Sequence, residues 1–232
     1  MAAVPNASVP VDRHAAAKAR TRSSILQAAA DLMSERSGAA FSVDDLAERA
    51  GVSRRTVFNH FASLADVAAA VGAEGLRILV DSLRAQAPAR SADPVADARA
   101  DLARAVRGGD LFEPIVALCH GLGLESITDA TRTPTLHTVP THEAMLVLHV
   151  MHDLGAALSI ELGRRHPDVE QLDLDLVVGT MLSGLAVIQN HWTLMTNATP
   201  DRGSRETWDL LLERLLDHVQ AGSTSEQEDH HG

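Results

Sequence analysis

The fold is decided by residues 41–66, which read FSVDDLAERAGVSRRTVFNHFASLAD. Ser42 is followed three residues later by Asp45, which is the pattern of a capping box at the start of a helix. Gly51 suits the left-handed position just beyond the end of that helix, and Ser53 suits the cap of a second short helix. Two short helices separated by a turn that contains glycine are typical of a helix-turn-helix.

The second short helix has an apolar side and a polar side. An advance of 100° per residue turns Val57, Phe58 and Phe61 inward, toward Leu46 and Ala47 of the first short helix. The polar side chains left on the outer side are Arg55, Thr56, Asn59 and His60. Arginine and asparagine can each bond a base edge twice, and threonine and histidine can bond phosphates. A solvated polar surface is the alternative, but the fixed angle between two short helices favours presentation to DNA.

The rest of the chain is divided into segments of helical length, within which apolar residues recur at intervals of three and four. Tyrosine is absent, aromatic residues make up 3% of the 232 residues, and no alternating strand pattern occurs. We therefore predict an all-α protein. We expect residues 1–12 and 222–232 to be disordered. The helix breakers are Pro88 with Pro94, Gly108 with Gly109, residues 131–140, Pro167 and residues 197–203.

Charge is divided unevenly along the chain. The net charge is −11, but residues 13–61 hold eight basic and five acidic side chains, a balance of +3 that leaves −14 for the remainder. This asymmetry predicts a basic N-terminal module that faces an anion and an acidic body that does not. The single cysteine, Cys119, excludes a disulfide framework or a cysteine-rich zinc module.

The sequence also limits location and chemistry. The first residues lack the basic and apolar regions of a signal peptide, and the longest uncharged apolar run, residues 176–188, is shorter than a membrane-spanning helix. We therefore expect a cytoplasmic protein with no membrane span. No nucleophile elbow, phosphate-binding loop, dinucleotide fingerprint or zinc-protease motif occurs, so we expect no catalytic residues, no enzyme activity and no cofactor. A helical enzyme without a recognisable motif is the weaker alternative.

A longer pattern, from residue 25 to residue 67, is recognisable. Its residues are Ile25, Ala28, Ala29, Leu32, Phe41, Ser42, Val43, Leu46, Ala47, Ala50, Gly51, Val52, Ser53, Thr56, Val57, Phe58, Asn59, His60, Phe61 and Ser63. This pattern resembles the DNA-binding domain of the TetR family of transcriptional regulators and covers about a fifth of the chain. The resemblance implies a helix-turn-helix domain over residues 13–62, with a supporting helix at 15–37. A long helix at 63–86 would join it to a ligand-binding and dimerisation domain over residues 63–221.

The resemblance also implies which residues contact DNA. Ser42 would meet a phosphate, Arg54 and Arg55 would read bases, and Thr56 and His60 would hold the backbone. The helical wheel turns Arg54 partly inward, in disagreement with the resemblance. The full set of expected DNA contacts is Ser42, Ser53, Arg54, Arg55, Thr56, Asn59 and His60. The sequence departs from the family pattern at Phe58, where tyrosine is common, at Leu64, where lysine is frequent, and at Ala65, where an acid is frequent. The basic side chains expected to offset lost phosphate contacts are Arg13, Lys18, Arg20 and Arg22.

The body is expected to bind a small molecule and a second copy of the chain. By family resemblance the dimer interface uses the last two long helices, at 169–196 and 205–220, and a central core helix of a monomer is the alternative. Small residues at which another helix could approach closely are Gly179, Thr180, Ser183 and Gly184. The expected ligand-binding residues are His120, Met145, His149 and Met181. The predicted function is a ligand-responsive repressor that a small molecule releases from a pseudo-palindromic operator.

A histidine-rich arc on the helix after residue 141 raises an alternative. Its members are His142, Met145, His149, His152 and Asp153, and the opposite, apolar arc holds Val147, Met151, Leu154 and Leu158. Imidazole and carboxylate groups four residues apart can bind zinc, nickel or copper, so a metal-responsive regulator is possible. A polar surface or pocket rim is the preferred interpretation, and no metal ligand is assigned.

Overall fold

A computed structural model describes residues 13–35, 41–121 and 141–221, and over these residues it contains helices and no strand. This confirms the predicted all-α fold. The predicted disordered tails, 1–12 and 222–232, and the predicted linker at 131–140 lie outside the described residues. The helices are α1 (Arg13–Glu35), α2 (Val43–Ala50), α3 (Arg54–His60), α4 (Leu64–Leu76), α5 (Ile78–Ala85), α6 (Pro94–Gly108), α7 (Phe112–Gly121), α8 (Thr141–Arg165), α9 (Gln171–Thr196) and α10 (Arg202–Ala221).

Helices α1 to α3 form a small N-terminal head. The Oγ of Ser42 accepts a hydrogen bond from the N–H of Asp45 at 3.1 Å, and the carboxylate of Asp45 accepts one from the N–H of Ser42 at 2.8 Å. Gly51 ends α2 with φ at 67°, in the left-handed region. The predicted capping box and glycine stop are therefore confirmed. The head core consists of Ile25, Ala28, Ala29, Leu32, Leu46, Ala47, Val57, Phe61 and Val67.

The helix that follows the head is not continuous. The prediction of one helix over residues 63–86 is wrong, because α4 ends at Leu76 and α5 begins at Ile78, with Arg77 between them. The N–H of Arg77 bonds to the carbonyl of Glu74, three residues back, which is the tighter bonding of a 3₁₀ turn. Gly75, just before the break, has low helix propensity and lets α7 approach closely.

Helix α4 belongs to both the head and the body. Val67 packs in the head core, whereas Ala69 and Leu76 pack in the core of the body. A Cβ atom at Gly72 would lie 2.8 Å from the side chain of Leu118 on α7. Helix α4 therefore connects the two cores and is packed closely against α7.

The body core surrounds α9. The ring of Trp192 lies edge-on to Phe112 and to Trp208, with 5.7 Å between ring centroids in each pair. The indole N–H of Trp192 donates to the carbonyl of Ser204 at 2.9 Å, so this buried donor is satisfied. These contacts tie α9 to α7 and to the start of α10.

A buried carboxylate fastens the far end of the body. Asp101, which is fully buried, accepts hydrogen bonds from the N–H of Ala89 at 2.8 Å, from Arg165 at 3.0 Å and from His166 at 3.0 Å. Arg104 is a further donor. Burial alone raises the pKa of the Asp101 carboxyl, but these hydrogen bonds outweigh it and hold the pKa below its ordinary value. The cluster joins α6 to the end of α8.

Two helices combine length with low polarity. Residues Ala144–Arg165 of α8 and all of α9 are long and apolar enough to cross a membrane by length and composition alone. Each helix packs one face in the body core, where Leu158 and Leu162 of α8 and Trp192 of α9 are fully buried. The composition of these helices is therefore partly explained by burial within the subunit.

Candidate nucleic-acid interface

The outer side of α3 differs from the sequence expectation at one residue. Val57 and Phe61 are buried in the head core, as predicted, at 2% and 5% exposure. Phe58 was expected to pack with them, and this is wrong because its side chain is 49% exposed. Val57 and Phe61 lie one turn apart and already fill the space against α1 and α2. Phe58 lies 100° away from Val57 and points outward on the side of Arg54, which is exposed as well.

Hydroxyl groups fix the start of α3. The Oγ of Ser53 accepts a hydrogen bond from the N–H of Thr56 at 3.1 Å, and the two side-chain oxygens are 2.8 Å apart. Ser53 and Asn59 are exposed, whereas Thr56 and His60 are half-buried. The cap orients a helix of only seven residues, which has little stability of its own.

The two adjacent arginines of α3 have different surroundings. The guanidinium of Arg54 lies 3.1 Å from a carboxylate oxygen of Asp44 on α2, and both side chains are exposed. Arg55 forms no hydrogen bond or ion pair with any residue that the structure describes. Arg55 is therefore available for a ligand without rearrangement, while Arg54 must exchange Asp44 for a new partner.

Two other basic side chains hold the head together. Arg22 of α1 lies 4.3 Å from the centroid of the Phe61 ring and donates to the carbonyl of His60 at 3.5 Å, so it contacts the end of α3. Arg49 of α2 makes two hydrogen bonds to Glu35 of α1, at 2.7 and 2.8 Å, and this pair raises the pKa of Arg49 above its ordinary value.

Comparison with known proteins identifies this head. Residues 25–71 match the family model of bacterial regulatory proteins of the TetR family. The head is therefore a DNA-binding domain of the TetR family. The TetR-family domain includes α2 and α3, so the chain is a DNA-binding regulator and the exposed side of α3 is its candidate DNA surface.

A solved structure extends the likeness in fold beyond the head. A TetR-family transcriptional regulator from Mesorhizobium loti is 17% identical, with 87% of this chain and 97% of that chain covered and a TM-score of 0.51. A TetR-family regulator from Streptomyces coelicolor is 23% identical, with coverages of 89% and 84% and a TM-score of 0.46. Of these two, the Mesorhizobium loti structure is the one that supports the likeness in fold. No curated protein matches the chain significantly.

The four expected ligand-binding residues do not come together. The ring of His120 contacts the carbonyl of Ala198 at 2.9 Å. Met145 and His149 are exposed on α8, whereas Met181 is 1% exposed in the body core. Because two of them face solvent and one is enclosed by core side chains, they do not line a common cavity.

A cavity that the sequence did not indicate lies between head and body. It is a cleft of about 790 Å³ between α1 on one side and α4 and α7 on the other, which we call the junction cleft. Its walls are mainly apolar, and none of the four expected ligand residues lines it. The lining residues are Ala19, Arg22, Ser23, Leu26, Gln27, Ala30, Met33, Val71, Glu74, Gly75, Glu113, Pro114, Val116, Ala117 and Pro200.

The histidine-rich arc of α8 is exposed as the spacing predicted. His142 lies 3.3 Å from Asp66 of α4, and His149 lies 3.9 Å from Asp153. Within ranges 13–35, 41–121 and 141–221 no three His, Cys, Asp or Glu side chains are grouped to hold a metal ion. The opposite arc packs in the body core, with Leu158 fully buried. Nothing in this arrangement favours the metal-responsive alternative.

Helix α9 has a second apolar side that faces away from the body core. We call it the outer face of α9. Its large residues are Leu172, Leu176, Val187 and Leu194, which are 66%, 59%, 57% and 38% exposed, and its small residues are Gly179, Thr180 and Ser183. Gly184, which was grouped with those small residues, instead packs directly on Leu215 of α10 within the same subunit.

Proposed function

We propose that this TetR-family regulator is a cytoplasmic homodimeric repressor that binds a pseudo-palindromic operator and is released by a small molecule. The observation that carries the proposal is the outer side of α3, where Arg55 and Asn59 are exposed on a short helix. Ser53 caps that helix at its start, and Arg22 contacts it at its end. An enzyme has no comparable support, since no group on this face is arranged for catalysis.

The side chains of α3 divide into base-reading and phosphate-holding groups. Arg55 suits two hydrogen bonds to guanine O6 and N7, and Asn59 suits two to adenine. Arg54 serves as a second base reader once Asp44 is exchanged for DNA; an exposed ion pair contributes only about 0 to 1 kcal/mol, so the exchange costs little. The phosphate-holding set is Ser42, Ser53, Thr56 and His60.

A palindromic operator has two half-sites, so its recognition requires two copies of α3 and therefore a dimer. Two recognition helices must lie about one DNA turn apart, roughly 34 to 36 Å, to enter successive major grooves. The outer face of α9 supports a partner there, because it exposes leucines at 59% and 66% beside Gly179 and Ser183. The same face on a second subunit would bury these side chains symmetrically, with α10 completing the interface.

The junction cleft supports the ligand-responsive part of the proposal. Its volume of about 790 Å³ is in the range of small-molecule sites, and its walls are largely apolar. Helix α4 lines this cleft and also packs in both cores, so an occupant that prefers one head orientation shifts the spacing of the two recognition helices. A compound that binds both orientations equally would release nothing.

Selection from a pool of random duplexes tests the DNA-binding part. The expected result is an enriched palindrome whose half-sites are centred about 10 base pairs apart or at a multiple of that spacing. The Arg55→Ala variant should fail to enrich one base position of the same motif. A pool from which the purified dimer enriches nothing would contradict the proposal.

A second experiment tests ligand release. Compounds that raise the melting temperature in a thermal-shift screen of metabolites and lipophilic molecules are titrated into the labelled operator complex, and release is followed by fluorescence anisotropy. The expected result is release from the native protein and weaker release from Ala30→Trp, whose indole occupies part of the junction cleft. Equal release from both proteins would place the effector elsewhere.

A further inference from the structure

Phe58 is an apolar side chain in the middle of an otherwise polar surface. Within the described residues up to Leu76, it is the only large apolar side chain that is exposed, at 49%. Its neighbours on the outer side of α3 are Arg54 and Arg55, one turn before it, and Asn59 next to it. Phe58 is therefore surrounded by the side chains assigned to DNA.

The head core does not need this ring. Val57 and Phe61 already provide the apolar contacts of α3 with α1 and α2, and both are almost fully buried. The half-exposed ring of Phe58 contributes only part of its surface to folding. The exposed half of the Phe58 side chain lies on the face of α3 that would enter the groove when α3 binds DNA.

The chemistry of the major groove limits what a phenyl ring can contact there. Guanine, adenine and cytosine present hydrogen-bonding atoms along this edge, and only thymine adds an apolar group, the methyl on C5. A ring packed over a polar base edge would displace water without replacing its hydrogen bonds, which is unfavourable. A ring packed over the thymine methyl displaces water from two apolar surfaces, which is favourable.

We propose that Phe58 reads one thymine in each half-site by packing on its C5 methyl. The inference rests on the proposed function, because it requires α3 to lie in the major groove with Arg55 and Asn59 at the base edges. It goes further by assigning a base to a residue that lacks any hydrogen-bonding group. Discrimination between thymine and cytosine at that position would come from the methyl group.

The test removes the methyl alone. In the operator obtained by selection, each thymidine is replaced in turn by deoxyuridine, which keeps every hydrogen-bonding group of the base. Affinity of the native protein should fall about fourfold at one position per half-site, the factor expected for one buried methyl-sized group. Substitutions at other thymidines should change affinity little.

The matched variants show whether Phe58 is responsible. Phe58→Ala should bind the thymidine and deoxyuridine operators equally at the sensitive position, whereas Asn59→Ala should keep the fourfold difference. Phe58→Leu, which retains an apolar side chain, should restore part of it. Melting curves should show that all three variants stay folded at the assay temperature, with only a small shift for the Phe58 variants, because Val57 and Phe61 keep their packing.

The outcomes separate this inference from the function on which it rests. If the selected operator shows no deoxyuridine-sensitive position, or if Phe58→Ala keeps the sensitivity, the role of Phe58 is refuted while DNA binding stands. If Phe58→Ala weakens all operator variants alike, the ring contacts the sugar-phosphate backbone and the inference is overturned. If no operator can be selected, the proposed function fails first, and this inference fails with it.

Discussion

Replacement of Leu176 by aspartate should dissociate the proposed dimer. Leu176 lies on the outer face of α9 and is 59% exposed in the single subunit. Complete burial of a leucine contributes about 1.5 to 3 kcal/mol, so covering the exposed part contributes about 1 to 2 kcal/mol. A two-fold interface uses the same surface twice, which gives about 2 to 4 kcal/mol per dimer, or roughly a 30- to 700-fold rise in the dimer dissociation constant. The buried carboxylate adds to this cost.

Sedimentation equilibrium over a range of protein concentrations measures the change. The matched control is Met145→Asp, because Met145 is 58% exposed on α8, away from the outer face of α9. Leu176→Asp should shift the chain to monomer at micromolar concentration, and Met145→Asp should remain dimeric. A native chain that sediments as a monomer, or an equal effect of the two variants, would refute the reasoning. Circular dichroism should show unchanged helix content in both.

Three further predictions concern DNA reading and stability. Arg55→Ala should weaken operator binding by about 1 to 3 kcal/mol and relax the preference at one base position. His60→Ala should instead weaken binding to all sequences alike. Anisotropy titrations on operator variants measure both effects. Asp101→Asn should lower the free energy of unfolding in urea by about 3 to 5 kcal/mol, because it disrupts a buried ionic cluster. Folding lowers the pKa of Asp101, so the stability that this carboxylate contributes is fully present above its unfolded pKa, near 3.9. That stability is lost as the pH falls through the folded pKa. Asp101→Asn should therefore flatten this part of the acid-unfolding curve. Gly184→Ala should lower stability by about 1 to 3 kcal/mol in thermal melts, because the added methyl meets Leu215.

Local chemistry made the head predictable. The side chains of Ser42, Ser53 and Ser63 each accept a hydrogen bond from a backbone N–H three residues on, and such contacts depend only on residues adjacent in sequence. Gly51 takes the left-handed conformation for the same local reason. The fold class followed because helix caps, breakers and apolar spacing agreed with one another.

The direction in which a short helix faces was harder to predict. A helical wheel fixes the angle between Val57 and Phe58, but the core toward which the helix turns is built by α1 and α2. In a helix of seven residues, two apolar side chains one turn apart are enough to fill that core. Phe58 could therefore turn outward, and no spacing within α3 reveals that it does.

The junction cleft was not predicted from the sequence, for a related reason. His120, Met145 and Met181 lie on three different helices, and sequence alone does not say which helix faces meet. The junction cleft depends on the packing of α1 against α7, between residues far apart in the chain. The glycines that bring α4 close to α7 were visible in the sequence, but their partners were not.

A crystal structure of the protein bound to its selected operator would test the central claim most directly. The account predicts a dimer joined through α9 and α10, with α3 of each subunit in one of two successive major grooves and Arg55 at a guanine edge. A complex in which α3 faces solvent while another element contacts the DNA would contradict it.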